Sequence, residues 1–233
     1  MTRPRPVIAI DGPAGVGKST TSRELARRLG YTLVDTGALY RGVALAARDR
    51  GISWDEEAAV VALCPQIELG FVSQDDGTPR LLLDGRDRGD DIRTPEMSSG
   101  ASKVSAYPGV RRALLGIQRQ LGREGGVVLE GRDIGTVVFP DALLKVYLTA
   151  SVEVRAKRRA KEMTDLDYDE VAADIARRDA ADAGRDDSPL ATAGDAVTVD
   201  TSEMGIDEAV DALVAMVEKR SATADATETS DGH

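Results

Sequence analysis

Residues Gly12 to Ser19 match the pattern G-x-x-x-x-G-K-[ST] at every fixed position. This pattern is typical of loops whose backbone N–H groups close around the phosphates of a nucleoside triphosphate. We expect Lys18 to reach the β- and γ-phosphates and the hydroxyl of Ser19 to help hold Mg²⁺. The predicted triphosphate-binding residues of this segment are Gly12, Pro13, Ala14, Gly15, Val16, Gly17, Lys18, Ser19 and Thr20.

The residues on either side of the loop favour this interpretation. Val7 to Ile10 is a short apolar run of the kind that forms a buried strand, and Thr20 to Leu29 has apolar residues at helical spacing. The helix would add the partial positive charge of its N-terminus to the phosphate site. The alternative is a glycine-rich turn that contains Lys-Ser by chance, and a strand before it and a helix after it make that alternative weak.

Two arginines follow the ends of predicted strands. Thr36 follows the strand Tyr31 to Val34, with Arg41 about one helical turn further on, and Arg132 comes shortly after the apolar strand Val127 to Leu129. Ligands of open α/β sheets bind beyond the carboxyl ends of the strands, so both arginines are expected beside the phosphate loop. An isolated arginine is more often a plain surface charge. Glu130, at the end of the strand Val127 to Leu129, is placed to hold Mg²⁺ through water. The alternative is that Glu130 has a structural or helix-capping role.

A further group of arginines lies in the region predicted to be helical after residue 150. Arg155, Arg158 and Arg159 have the i, i+3, i+4 spacing of one helix face. A second predicted helix, Tyr168 to Ala183, carries more arginines and several aspartates, and Gly184 ends it. A plain charged face is possible, but the pattern also fits a hinged helical lid that folds over phosphates and excludes water.

The composition excludes several kinds of chemistry. The chain has 233 residues, one cysteine (Cys64) and one histidine (His233), which leaves no residues for a Ser-His-Asp triad or a cysteine zinc site. The net charge of −10 argues against a large nucleic-acid surface. No signal peptide or transmembrane run is apparent, so a cytoplasmic protein without membrane or nucleic-acid partners is expected.

Apolar runs alternate with helical patterns, which predicts an α/β fold with a central parallel sheet flanked by helices. The core is built from aliphatic residues, since aromatic residues make up only 3% of the chain. Two closely spaced strands within Ile67 to Arg93 break this rhythm and predict a small antiparallel insert. We expect a single domain over residues 1–220, with its core at about 7–63, 101–150 and 190–220, the insert at about 64–100 and the lid at about 151–188. Residues 221–233 are predicted to be a disordered tail.

Several longer motifs resemble those of the bacterial cytidylate kinases, which are P-loop nucleoside monophosphate kinases. The matching segments, in order, are Ile10 to Pro13, Asp35 to Arg41, Ala101 to Ser105 with Val110 and Arg111, Glu130 to Ala142, and Arg178 to Arg185. The block Gly131 to Pro140 is far more restrictive than the phosphate loop alone. Thr36 stands where the family often has serine, and Glu130 where many members have aspartate.

The resemblance implies transfer of the ATP γ-phosphoryl group to CMP or dCMP, with Mg²⁺ as cofactor and the insert as part of the monophosphate-binding region. It implies that the CMP-binding residues are Ser102, Arg111 and Asp133 at the base, Arg178 and Asp182 at the ribose, and Arg41, Arg132 and Arg185 at the phosphate, with Thr36 beside them. Lys18, Arg132, Arg155 and Arg159 are expected to be catalytic, Arg158 to bind ATP, and Ser19 and Glu130 to hold the metal, Glu130 through water.

Alternatives at this point are a kinase for another small acceptor, such as UMP, AMP or shikimate, and a GTP-binding switch. Switches usually carry an Asn-Lys-x-Asp segment, which this sequence lacks. A third alternative is a structural protein with a vestigial phosphate loop. The expected partners are ATP and CMP or dCMP, and the protein is expected to be a monomer.

Overall fold

The computed structural model describes residues 3, 5–74, 78–162, 167–185 and 187–230. Its elements in chain order are β1 (Val7–Asp11), α1 (Lys18–Leu29), β2 (Thr32–Asp35), α2 (Thr36–Asp49), α3 (Glu57–Leu63), β3 (Leu69–Ser73), β4 (Pro79–Leu83), β5 (Arg86–Asp87), α4 (Pro95–Val104), α5 (Pro108–Leu121), β6 (Val127–Gly131), β7 (Leu144–Thr149), α6 (Val152–Glu162), α7 (Tyr168–Ala183), β8 (Val197–Asp200) and α8 (Ile206–Ser230). Short 3₁₀ and π turns cover Cys64–Gln66 and Ile134–Val138.

A five-stranded parallel sheet forms the centre of the molecule, in the order β2-β6-β1-β7-β8. Successive side chains of a strand point to opposite faces, and both faces are covered. Ile8 and Ile10 of β1 pack on one face with residues of α1 and α8, whereas Val7 and Ala9 pack on the other with the segment around Ile134. The predicted parallel sheet flanked by helices is therefore confirmed.

The predicted antiparallel insert is also present. Strands β3, β4 and β5 form a separate three-stranded antiparallel sheet. Leu69 and Leu81 of this sheet close over Gly42 of α2, where a Cβ atom would lie only 2.8 Å from each leucine. The insert thus shares the hydrophobic cluster of α2 and continues the core.

Helices α4 and α5 were not predicted from the sequence. Both begin with proline at the first helical position, which is where proline fits a helix. Thr94 also caps α4 by accepting a hydrogen bond from the N–H of Met97 at 3.1 Å. These start signals were present in the sequence, but apolar periodicity alone did not reveal them.

Helices α6 and α7, which were predicted to form a lid, pack on each other through a small cluster of Ala156, Val171 and Ile175. Helix α7 spans the residues predicted for it, and α6 begins at the predicted Val152. The predicted end of α6, Met163, lies outside the described residues. The division of the chain into core, insert and lid remains a prediction.

The C-terminal segment differs from its prediction of disorder, because α8 continues to Ser230. The first half of the helix is held on the sheet by Val210, Leu213 and Val217. A helix that is already nucleated can add further turns without paying the nucleation cost again. Residues 231–233 of the predicted tail lie outside the described residues.

Among the helices described, none has both the length and the apolar character needed to cross a membrane.

Gly100 offers a test of the packing between α2 and α4. A Cβ atom there would lie 2.7 Å from the ring of Trp54 and 2.9 Å from the Cβ of Ala44. We expect Gly100→Ala to lower the free energy of unfolding by about 1–3 kcal/mol, as overpacked cores do, although alanine is the better helix former.

Gly116 in α5 is the matched control, because a Cβ atom there meets nothing within 4 Å. Gly116→Ala should raise the free energy of unfolding by about 0.4–1 kcal/mol. Urea unfolding of both variants checks the pair. Equal effects of the two substitutions would contradict the close contact of α2 with α4.

Candidate active site

The phosphate loop joins β1 to α1 and is fixed at both ends. Gly12 lies so close to β7 that a Cβ atom would sit 2.3 Å from the carbonyl oxygen of Leu148. Gly17 precedes α1 with φ of 95°, a left-handed conformation that favours glycine. The loop is therefore held against the sheet with its N–H groups beside the start of a helix, as anion binding requires.

Lys18 is buried inside the curve of this loop. Its ammonium group donates hydrogen bonds to the carbonyl oxygens of Gly12 and Pro13, at 2.7 and 2.6 Å. Burial, together with the nearby charge of Arg132, holds the pKa of Lys18 below its usual range, against the opposing effect of Glu130. The loop thus holds a desolvated cation in place, ready for an anion that would stabilise its charge.

Ser19 and Glu130 bring two oxygen groups together at the mouth of the loop. The Ser19 hydroxyl donates to Oε2 of Glu130 at 3.0 Å, and Glu130 is only 4% exposed. Burial and the neighbouring Asp35 raise the pKa of Glu130. A hydroxyl and a carboxylate are ligand types that Mg²⁺ prefers, and this ion usually takes its other ligands from water and substrate phosphates. The pair therefore fits a nucleotide-bound Mg²⁺. A cluster of three or more acidic, histidine or cysteine side chains that could hold a metal without the nucleotide is absent from the described residues.

The two strand-end arginines are both paired with aspartates. Arg41 donates to Asp35 at 2.6 Å, and Nε of Arg132 donates to Asp182 of α7 at 2.7 Å. These carboxylates orient the guanidinium groups into the cleft before any ligand is present. The Nη groups of such arginines are suited to the oxygens of a phosphate, which guanidinium binds in bidentate fashion.

A third arginine–aspartate pair lines the same cleft. Arg111 of α5 donates to the carboxylate of Asp133, and both side chains are buried. Arg111 also donates to the carbonyl oxygen of Ser105 at 3.4 Å and lies over the ring of Tyr40, 5.7 Å from its centroid. A donor and an acceptor fixed side by side in a buried place can distinguish a planar polar ligand by its hydrogen-bonding groups.

Helix α7 and the residues that follow it contribute further cations. Arg185 donates to Asp182 and, at 2.9 Å, to the hydroxyl of Ser105, while Arg178 pairs with Asp174 at 2.9 Å. Burial lowers the pKa values of both Arg178 and Arg185, opposed by the aspartates. Arginine remains charged, so a partly buried group of arginines favours binding of an anion.

The three arginines of α6 take different positions. Arg155 lies behind the loop, where it donates to the carbonyl oxygens of Ala14 and Ala150 and pairs with Asp179 at 2.5 Å. Arg158 donates to the carbonyl oxygens of Val16 and Thr201. Arg159 lines the cleft. The arginines of this predicted single face therefore point to more than one place around the loop.

All these groups surround one cleft of about 700 Å³. The predicted residues that line it are Ala14, Gly15, Val16, Gly17, Lys18, Ser19, Thr20, Arg41, Ser102, Arg111, Glu130, Arg132, Asp133, Arg158, Arg159, Arg178, Asp182 and Arg185. The predicted residues that lie beside it are Gly12, Pro13, Thr36 and Arg155. Thr36 is buried, and its hydroxyl donates to the carbonyl oxygen of Glu130 at 2.7 Å, so it holds β2 and β6 together at the cleft.

Several cleft residues were not predicted as site residues. They include Asp35, Tyr40, Ser98, Ser105, Lys161, Thr201 and Met204. Thr201 follows directly after β8, so the strand-end rule used for Arg41 and Arg132 would have found it. Asp35 and Tyr40 lie within a motif that was recognised, but only its hydroxyl and arginine were assigned. Ser105 likewise lies at the end of the matching segment Ala101 to Ser105, of which only Ser102 was assigned, whereas Lys161 carries no such signal.

The strand, phosphate loop and arginine-lined cleft define the class of this protein as a P-loop phosphotransferase with two anionic ligands. The family model for cytidylate kinase matches residues 8–219. A cytidylate kinase of Syntrophotalea carbinolica is 51% identical over 223 residues, covering 94% of each chain. A cytidylate kinase of Geobacter sulfurreducens is 48% identical over 218 residues, covering 92% of this chain and 93% of the relative. The chain therefore belongs to the cytidylate kinase family.

Comparison with solved structures supports the fold but not the function. The crystal structure of an uncharacterized protein from Eubacterium ventriosum superposes with a TM-score of 0.53 at 12% identity. The superposition covers 92% of this chain and 99% of that protein. The shared architecture therefore extends over nearly the whole of both chains.

Asp11, the last residue of β1, carries a buried carboxylate next to the loop. It accepts hydrogen bonds from the N–H groups of Ile134 and Gly135, each at 2.8 Å. Burial raises the pKa of Asp11 to about 6, against the lowering effect of these two hydrogen bonds. Since the unfolded value is about 3.9, the folded protein holds this proton more tightly between about pH 4 and pH 6.

The contribution of Asp11 to stability therefore falls as the pH rises through that window. We expect the free energy of unfolding of the wild type, relative to Asp11→Asn, to decrease by up to about 3 kcal/mol between about pH 4 and pH 7. Urea unfolding of both proteins across this range measures it. A difference that does not change with pH would show that Asp11 titrates at its ordinary value.

Proposed function

We propose that this protein transfers the γ-phosphoryl group of ATP to CMP or dCMP, giving ADP and CDP or dCDP. The observation that carries the proposal is one cleft that is lined both by the phosphate loop and by the Arg111–Asp133 pair. Its family membership and the relatives named cytidylate kinase support the same substrate pair. A phosphate loop without a second, base-reading group would support triphosphate binding only.

On the donor side, the N–H groups of the loop and the ammonium of Lys18 bind the β- and γ-phosphates. Lys18 exchanges its hydrogen bonds to the carbonyl oxygens of Gly12 and Pro13 for bonds to phosphate oxygens. The negative charge of the phosphates stabilises the ammonium group, which burial destabilises. The Ser19 hydroxyl and, through water, the carboxylate of Glu130 would hold Mg²⁺, which when bound would supply charge neutralisation at the phosphates of ATP.

On the acceptor side, Arg41, Arg132 and Arg185 hold the monophosphate in line with the γ-phosphate. An oxygen of that monophosphate forms the new bond to phosphorus, and the bond from phosphorus to the β,γ-bridging oxygen breaks, so ADP leaves. The acceptor oxygen is already anionic at neutral pH, so no general base is required. Catalysis is positioning together with neutralisation of charge by Lys18 and the arginines.

The remaining sites follow from the same placement. Asp133 accepts a hydrogen bond from the amino group of cytosine, and Arg111 and Ser102 hold the other polar edge of the base. Arg178 and Asp182 bind the ribose. Arg159 reaches the transferred group and Arg158 lies against ATP, while Arg155 supports the loop from behind through the carbonyl oxygen of Ala14.

Lys18→Ala tests the donor side. We expect kcat for CMP phosphorylation to fall by on the order of 10³-fold or more, because a cation at the transferred group contributes that much in related phosphoryl transfers. Lys157→Ala is the control, since Lys157 forms an exposed pair with Glu153 on α6. An ADP-release assay gives both rates. Unchanged turnover in Lys18→Ala would remove the loop from the mechanism.

Asp133→Asn tests the base pocket. The amide can present a donor where cytosine needs an acceptor, so kcat/KM for CMP should fall by on the order of 10²-fold. The value for UMP, which carries a carbonyl at that place, should fall less or rise. Steady-state kinetics with CMP, dCMP, UMP and AMP at fixed ATP and Mg²⁺ measures the ratio. An unchanged ratio of CMP to UMP would assign base selection to other residues.

The same panel on the wild type separates the other candidates. Faster turnover with AMP, UMP or shikimate than with CMP would replace the acceptor in our proposal. Tight GTP binding with no phosphoryl transfer would favour a switch. We also propose that the protein acts as a monomer in the cytoplasm, and sedimentation at enzyme concentrations checks its oligomeric state.

A further inference from the structure

The carboxylate of Asp11 directly links the strand that leads into the phosphate loop to the segment that follows Arg132 and Asp133. Asp11 is 5% exposed and lies on β1, the middle strand, opposite Gly131 of β6 in the parallel register. The next residue, Gly12, begins the phosphate loop. The carboxylate of Asp11 accepts hydrogen bonds from the N–H groups of Ile134 and Gly135, which come directly after Arg132 and Asp133 in the chain.

The two N–H groups that donate to Asp11 belong to the first turn of the π-helical segment Ile134–Val138. The first N–H groups of a helical segment have no partner within the segment and need an acceptor from elsewhere. Asp11 supplies both bonds with one carboxylate, so it fixes the place where the chain turns after β6. The orientation of the preceding residues depends on that turn.

The preceding residues are those that hold the acceptor. Asp133 pairs with Arg111 at the base end of the cleft, and Arg132 pairs with Asp182 of the lid helix. A shift of the turn would move both pairs relative to the phosphate loop. Reaction rates are sensitive to such shifts, because a displacement of about 1 Å can lower a rate by on the order of 10²-fold.

Ionised Asp11 also lowers the stability of the fold. Its pKa is raised by burial, so the ionised form is destabilising at neutral pH. The nearby charges are Asp133, which disfavours ionisation, and Lys18, which favours it. A charge that lowers stability at a site of function is typical of residues that serve activity.

We propose that Asp11 is a positioning residue for phosphoryl transfer, which holds the Arg132–Asp133 segment at a set distance from the phosphate loop. The inference rests on the proposed function. Asp11 acts through backbone N–H groups and through the residues that precede them, and it does not contact either substrate.

Asp11→Asn tests this role with little change in shape. The amide keeps one acceptor oxygen but turns an NH₂ group toward the second backbone N–H, so one hydrogen bond is lost and two donors face each other. We expect kcat/KM for CMP to fall by on the order of 10²-fold. The Kd of a non-hydrolysable ATP analogue, measured in the absence of CMP, should stay within about twofold, because the loop keeps its own contacts.

A double-mutant cycle separates positioning from a general structural effect. If Asp11 acts through Asp133, then Asp11→Asn should cost much less in kcat/KM when Asp133→Asn is already present. Asp195→Asn is the control for stability, because Asp195 forms an ion pair with Lys145 outside the cleft. Its kinetic constants should match those of the wild type.

Three results would overturn the proposal. They are kinetic constants of Asp11→Asn within about twofold of the wild type, additive losses in the cycle, and a loss of ATP-analogue affinity as large as the loss for CMP. If Asp11→Asn does not fold, Asp11→Ser, which keeps one short acceptor, is measured by the same criteria. Wild-type turnover with each acceptor is measured first. If another acceptor replaces CMP, the cycle is run with that acceptor, so failure of the proposed function and failure of the role of Asp11 are distinguishable.

Discussion

The parallel register of β2, β6 and β1 places the ends of three strands at one level of the sheet. Asp35 lies opposite Glu130, and Asp11 lies opposite Gly131. The backbone hydrogen bonds of the sheet hold these positions, so side chains at the strand ends cannot move apart. Asp35 and Glu130 thus lie beside each other at the phosphate loop, whereas Asp11 is on the opposite face of the sheet, where it meets the amides of Ile134 and Gly135. Burial makes the charges of Asp35 and Glu130 costly unless cations lie close by. The lysine and the arginines of the cleft meet that need.

The charge of the cleft differs from that of the whole molecule. The chain has a net charge of −10, yet the described cleft is lined by arginines from the strand ends, α5, α6 and α7. Aspartates of the same chain hold many of these arginines, as Asp35 holds Arg41 and Asp182 holds Arg132. The aspartates keep the arginines extended toward the cleft. A phosphate with more charge than a carboxylate can then take over these contacts, so local arrangement outweighs net charge.

The prediction from sequence was accurate where a short segment dictates its own backbone. The glycines around Lys18 require a particular loop, and a strand before it and a helix after it can be read from periodicity. Arg41 and Arg132 were found because the end of a strand indicates which edge of the sheet a residue occupies. Asp182 and Arg185 were assigned only through the family resemblance. Helices α4 and α5 were missed, and residues 221–230 were predicted to be disordered although α8 extends through them.

The sequence by itself determined the phosphate loop, the parallel sheet and the strand ends that line the cleft, because these depend on residues near one another in the chain. Only the tertiary structure decided which arginine pairs with which aspartate, and that Arg155 lies behind the loop while Arg159 faces the cleft. It also decided that Asp11 meets the amides of Ile134 and Gly135, which are more than a hundred residues away. Such contacts depend on how separate elements pack, and no local pattern of residues records that packing.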